Sequence, residues 1–385
     1  MNFMNVIELT KKLISLPSYD DGNLYEKPMS DFLVTYVREY LPWMQIELQE
    51  VSANRFNVFF KDAGETQLLV VDQIDTVIPD AGWTTNPLEA VERDGKIFGL
   101  GASDSKGNVA SLLKALEANG PTRGLAVLFY VDEEYFFKGM NKFVGSTLAS
   151  SIDPQWILSV DGNGSSLGTG CRGLVEFDLE LRSASGHSAN PQTSGVLRPF
   201  LKTLRSFEDW LTSYKDDQQG VPTWNVARLQ SGLLLREDAS RPDFGEQGNR
   251  IPNFLQAKIE VRTTPGLSGE EIEVFWRSSL EGSIGLDVRI APVFAYAGFS
   301  TPRSELMNVE QAIDSILGRV DYLDASTFGY LDLSMLAQVY PEARLCSFGI
   351  GEPGTNHRAN EYVVCKRLEE GQAIYQQIIQ NLLMI

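Results

Sequence analysis

Three stretches of the chain are continuously apolar and end on acids. TQLLVV runs into Asp72, Gln73 and Asp75, LAVLFYV into Asp132, Glu133 and Glu134, and WILSV onto Asp161. Apolar runs without alternation predict strands buried on both faces, as in a largely parallel sheet covered by helices. Val6, Ile7, Leu13, Ile14 and Leu16 fit a first amphipathic helix and SDFLVTYVREYL has helical spacing, while NVASLLKALEA reads as a buried helix, and NVEQAIDSILG and the closing EEGQAIYQQIIQNLL as further helices. IELQEV, NVFFK and ARLCSFGI read as further strands, and residues 79–95 as a polar loop. In such sheets ligand sites gather at the C-terminal edge of the strands, where the acids stand.

From Arg172 the pattern changes to period two. VEFDLELRS alternates apolar and polar positions, as a half-exposed antiparallel strand does. A helix near Arg198 to Leu211 follows, then strands TWNVARLQ and LQAKIEVRT, a helix near Gly269 to Leu280, and a strand LDVRIAPVF. That strand-helix-strand-strand-helix-strand order is ferredoxin-like. The expected fold is α/β: a large α/β/α domain with a mostly parallel sheet (1–171 and 294–385), carrying an inserted ferredoxin-like α+β domain (172–293).

Composition narrows the function. With 51 acidic against 33 basic residues the formal charge is -18, which repels nucleic acid and anionic lipid alike. Cys171, Cys346 and Cys365 are odd in number and scattered, which argues against a disulfide framework and for a reducing cytoplasm. The N-terminal segment lacks the basic start and apolar block of a signal peptide, and no apolar run approaches the ~20 residues of a membrane span.

One charged residue capping a strand is usually only solvated. Asp75, Asp104, Glu133, Glu134 and Asp161 together would crowd one edge, where like charges must protonate unless a cation neutralises them. His357, in GIGEPGTNHRANEY, follows another apolar strand and can bend to the same edge. Carboxylates with an imidazole suit zinc, cobalt or manganese.

DQIDTV, WTTNPLE, DGKIFGLGASDSKG, VDEE and NHRANEY resemble, in order and spacing, the motifs of the zinc-dependent aminoacylase and carboxypeptidase G family. Acetylornithine deacetylase and succinyl-diaminopimelate desuccinylase belong to that family. GHSANP, NRIP and KIEVR extend the resemblance through the inserted domain. The resemblance implies a cytoplasmic metal-dependent hydrolase that cleaves the amide of an N-acyl amino acid or small dipeptide, with acetylornithine-like substrates first. It implies that Asp104 bridges two metal positions, with Glu134 and His357 completing one and Asp161 serving the other. Glu133 takes the place of the general base and Asp75 that of the residue orienting a ligand. His187 matches the histidine that steadies the oxyanion from a neighbouring subunit, and Asn249 and Arg262 match residues that hold the substrate carboxylate. A homodimer through the inserted lid domain is implied as well.

The departure is Gln73, where the family has a histidine ligand. A carboxamide oxygen is a weaker donor for zinc than imidazole, so one firm metal site and a second, weak one are expected. Asp75 is left to bond the Gln73 amide, and Asp72 to be a surface residue or a substitute ligand. Three readings follow: a working amidohydrolase, a silent relative that keeps the pocket to bind a ligand or partner, and a two-metal phosphoesterase. The acidic surface and the lack of a phosphate-cradling loop with Lys weigh against the last.

Overall fold

The computed structural model describes residues 4–190, 195–236, 242–245, 248–281, 283, 285–326 and 330–383. They form two compact units: Met1–Gly170 with Thr301–Leu323 and Met335–Ile385, and Cys171–Ser300 with Asp324–Ser334. The second unit runs past the expected boundary at residue 293 and takes in the 324–334 stretch.

The first unit holds an eight-stranded mixed sheet. Its order is Gln45–Ser52, Arg55–Lys61, Leu125–Tyr130, Leu68–Gln73, Trp156–Ser159, Arg344–Gly349, Ser166–Gly168 and Asp321–Tyr322. Leu125–Tyr130, Leu68–Gln73, Trp156–Ser159 and Arg344–Gly349 run parallel to one another, so all four release their chains at the same edge. Leu68–Gln73 and Leu125–Tyr130 are buried at every position, as their unbroken apolar runs require. They share one core with helix residues Leu13, Leu113, Ile313 and Ile378. Each large apolar side chain so buried contributes roughly 1.5–3 kcal/mol.

The polar stretch expected as one loop to Gly95 is not all loop. Val91–Arg93 and Lys96–Phe98 pair as a hairpin in which Arg93 faces Lys96. Asp94 and Gly95 between them both have left-handed φ values, 52° and 70°, as a two-residue Asp-Gly turn requires. Tyr362–Val364 adds as a third antiparallel strand, which brings the NHRANEY segment beside the Gly99–Asp104 loop.

The second unit is an antiparallel sheet in the order Asp243–Gly245, Thr223–Arg236, Phe254–Thr263, Gly173–Arg182, Asp287–Tyr296. Helices Leu197–Leu211 and Gly269–Glu281 connect its strands in the ferredoxin-like order. Gly173–Arg182 alternates buried and half-buried positions, and its inward Phe177 and Leu179 share a core with Phe200, Phe207 and Trp276. No helix among the described residues is long and apolar enough to cross a membrane.

Candidate metal centre

Strand direction assembles the centre. Asp72 and Gln73 close one parallel strand, Asp132 to Glu134 follow a second, Asp161 a third and His357 a fourth. Asp104 reaches the same edge just ahead of the helix Lys106–Asn119. Asp104, Glu134 and His357 each offer a ligand atom, all within 4.8 Å of one another. His357 Nε2 lies 3.0 Å from Glu134 Oε2 and 3.4 Å from Asp104 Oδ2.

The electrostatics are those of crowded acids. Burial, then the charges of Asp104 and Glu134, push the Asp161 carboxyl up to about 8. Burial and Asp104 likewise raise Glu134, which His357 partly offsets. Hydrogen bonds to Asp104 and Glu134 push the His357 imidazole up to about 10. Without another cation the cluster therefore holds protons at neutral pH.

The residues fit a divalent ion. Glu134 Oε1 and Gln73 Oε1 are buried oxygens with no hydrogen-bond partner, and both belong to the candidate donor set. A buried acceptor left unpaired costs on the order of 1–3 kcal/mol, and a cation would satisfy it. The carboxylate and imidazole donors suit zinc, cobalt or manganese.

Two expectations are corrected here. The Gln73 carboxamide does not turn to Asp75: its Nε2 donates to Asp104 Oδ1 at 3.0 Å. Asp75 Oδ1 and Oδ2 instead accept the backbone N–H groups of Glu133 and Glu134, each at 3.1 Å, which fixes the paired acids by their main chain. Asp72 is not a surface residue. It is fully buried and accepts the Ser105 hydroxyl at 2.7 and 2.8 Å and the Gln73 N–H at 2.9 Å.

Supporting residues beyond those expected complete the edge. Glu361 is buried and accepts the N–H groups of Gly101, Ser103 and Asp104 at 2.7–2.9 Å, so it clamps the loop that presents Asp104. Burial and then Asp104 push its carboxyl up to about 8. Asn356 Nδ2 lies 3.4 Å from Asp104 Oδ2. Both stand within the NHRANEY run, which was the available signal. Arg55 gave none: its guanidinium donates to Glu26, through Nε at 2.8 Å and through Nη2, and to Asp132 Oδ1 at 2.7 Å. Asp132 precedes the paired acids and has a left-handed φ of 63°.

The remaining expected residues lie in the second unit. His187 and Asn249 are exposed and meet where His187 bridges Arg250 and the Ser188 N–H donates to the Asn249 carbonyl at 3.0 Å. Arg262 stands on Phe254–Thr263, its Nε 2.9 Å from Glu260 Oε1. Pro191 of the GHSANP run lies outside the described residues.

Residues 72–381 match the profile of peptidase family M20/M25/M40. The chain belongs to that family. An acetylornithine deacetylase of Buchnera aphidicola subsp. Schizaphis graminum is 25% identical over 97% of each chain. Among solved structures, an M20 family metallo-carboxypeptidase from Sulfolobus solfataricus superposes with TM-score 0.71 at 14% identity over 99% of both chains. A dinuclear metal-binding M20 peptidase from Bacillus subtilis gives 0.65 at 14% identity, covering 97% of this chain and 96% of the other. This M20 chain therefore has the family's α/β fold with an inserted domain and is placed among metal-dependent amidohydrolases.

Proposed function

We propose that the protein hydrolyses the amide bond of N-acyl amino acids or small dipeptides, with Glu133 as general base. The observation that carries this reading is the convergence of Asp104, Glu134 and His357, with a ligand oxygen of Glu134 left unpaired. The names of the relatives, an acetylornithine deacetylase and a metallo-carboxypeptidase, point to the same bond.

Asp104, Glu134 and His357 would hold a firmly bound divalent ion, and Gln73 with Asp161 a weaker one. Such an ion polarises a carbonyl and lowers the pKa of water from ~16 toward ~7. Glu133 takes the proton of the attacking water as the carbonyl carbon gains its oxygen. It then returns a proton to the departing nitrogen, so the C–N bond breaks to a free amine and a carboxylate. Asp75 holds both N–H groups and so fixes the main chain of the turn that carries the two acids. From their motif positions we assign Asn249 and Arg262 to the substrate carboxylate and His187 to the carbonyl oxygen.

Glu133→Gln removes a base and no ligand. Its expected effect is loss of turnover on N-acetyl amino acids, on the order of 100-fold or more, at unchanged metal content by elemental analysis. Retained turnover would overturn the assignment. The competing reading, a relative impaired in catalysis, draws on Gln73, whose amide N–H faces Asp104. Wild-type protein that binds zinc but cleaves no N-acetyl or N-succinyl amino acid with zinc, cobalt or manganese would establish it.

A further inference from the structure

The loop that carries the paired acids also carries exposed aromatics. Glu133, Glu134, Tyr135 and Phe136 lie between Asp132 and Phe137, both left-handed at φ 63° and 55°. The Phe137 N–H donates to the Asp132 carbonyl at 2.7 Å, closing the neck of the loop. Left-handed φ is uncommon for a bulky residue such as Phe, and its conformation is held by the surrounding contacts. Asp132 supplies one, since its carboxylate is tied to Arg55.

The second half of this loop is apolar and open. Phe136 is 57% exposed and Tyr135 37%, with ring centroids 6.5 Å apart. Ile78, 54% exposed, joins them from the Asp75 turn, its N–H donating to Tyr135 Oη at 3.2 Å. Phe136 is two residues beyond Glu134, within about 7 Å of chain. An apolar ledge so close to reacting groups has an evident occupant in the substrate itself. Lys138, half-exposed and 3.8 Å from Asp132 Oδ2, sets its Nζ 4.7 Å from the Phe136 ring centroid, so one face of that ring already meets a cation.

We infer that Ile78, Tyr135 and Phe136 determine specificity, selecting substrates with a bulky apolar acyl group or side chain over acetylornithine-like substrates with a cationic one. This rests on the hydrolase reading and narrows it. Hydrophobic pockets discriminate by roughly 10- to 200-fold per group gained.

The test compares kcat/KM of the zinc-loaded protein for N-acetyl-L-phenylalanine and N-benzoylglycine with that for N-acetylglycine and N-acetyl-L-ornithine. The first pair separates recognition of the side chain from recognition of the acyl group. A preference of about 10-fold or more for at least one apolar substrate is expected, falling to within about 3-fold in Phe136→Ser at an unchanged melting temperature. Ile78→Ser should narrow the same ratio. Hydrolysis with a flat profile, or with a ratio unmoved in both variants, overturns the inference and leaves the hydrolase reading standing. If no substrate is cleaved, the hydrolase reading falls separately, and calorimetric binding of N-acetyl-L-phenylalanine decides. Weaker binding by Phe136→Ser than by wild type supports the ledge, and equal or absent binding overturns it.

Discussion

Arg55→Met should cost far more stability than any single surface charge. Arg55, Glu26 and Asp132 are 3%, 1% and 1% exposed, so the cation and both carboxylates are out of water. Methionine keeps much of the side-chain volume but leaves buried Glu26 without its Arg55 partner and Asp132 with only the half-exposed Lys138 ammonium, 3.8 Å away. Breaking a buried pair this way typically costs about 3–5 kcal/mol, against a total of roughly 5–15 kcal/mol for a domain. With a urea slope of roughly 2 kcal/mol/M, the midpoint should fall by about 1.5–2.5 M.

Neutralising all three buried charges should have the opposite effect. Arg55→Met/Glu26→Gln/Asp132→Asn carries no uncompensated charge, so it should recover much of the loss even though it restores no ion pair. The pH dependence has a defined sign. Burial raises Glu26 and the Arg55 hydrogen bonds oppose that rise, so without Arg55 the folded-state pKa goes higher still. Folded Arg55→Met then binds more protons than the unfolded chain above the ordinary Glu value, and its deficit should shrink as pH falls from 8 toward 5. Urea titrations of wild type, single and triple variants at those two pH values test all three points. A single-variant loss under about 1 kcal/mol, or a triple variant no better than the single, would refute the reasoning.

Gln73→His restores an imidazole donor and should raise bound metal toward two ions per chain by elemental analysis, and no increase would reject Gln73 as a weakened ligand position. Metal-stripped protein should lose stability as pH rises from 5 to 9. Folded Asp161 and Glu361 stand at about 8 against 3.8 and 4.5, and His357 at about 10 against 6.5. Each binds more protons folded than unfolded between those values, so the slope is negative for all three. Added zinc should flatten it, and a metal-free melting temperature that climbs with pH would count against the crowded-acid account.

The sheet and its loaded edge were legible because burial on both faces writes itself into sequence as unbroken apolar runs, here from Leu68 and from Leu125. The acids that end those runs needed only a common strand direction to meet. The hairpin at Asp94 and Gly95 carried a local turn signal that the polar composition of its surroundings hid. Arg55 was different in kind, since it stands 29 residues from Glu26 and 77 from Asp132, and no local pattern links a lone arginine to partners so distant. Glu361 lay inside a matched motif, but its clamp on three N–H groups depends on Tyr362–Val364 pairing with Lys96–Phe98, which only the fold supplies.

The direction of the Gln73 amide bears on how the edge tolerates its crowded acids. Imidazole and carboxamide are both neutral, so exchanging them leaves the formal charge of the cluster unchanged. What changes is the field at Asp104. The Gln73 N–H points partial positive charge at Asp104 Oδ1, and a hydrogen bond to a charged group contributes about 1.5–3 kcal/mol. That is less than a divalent ion would give, but it eases the repulsion from Asp161 and Glu134 without requiring high metal affinity. Asp104 Oδ2 meanwhile faces His357, so the two oxygens of one carboxylate are served differently, one by an amide and one by an imidazole.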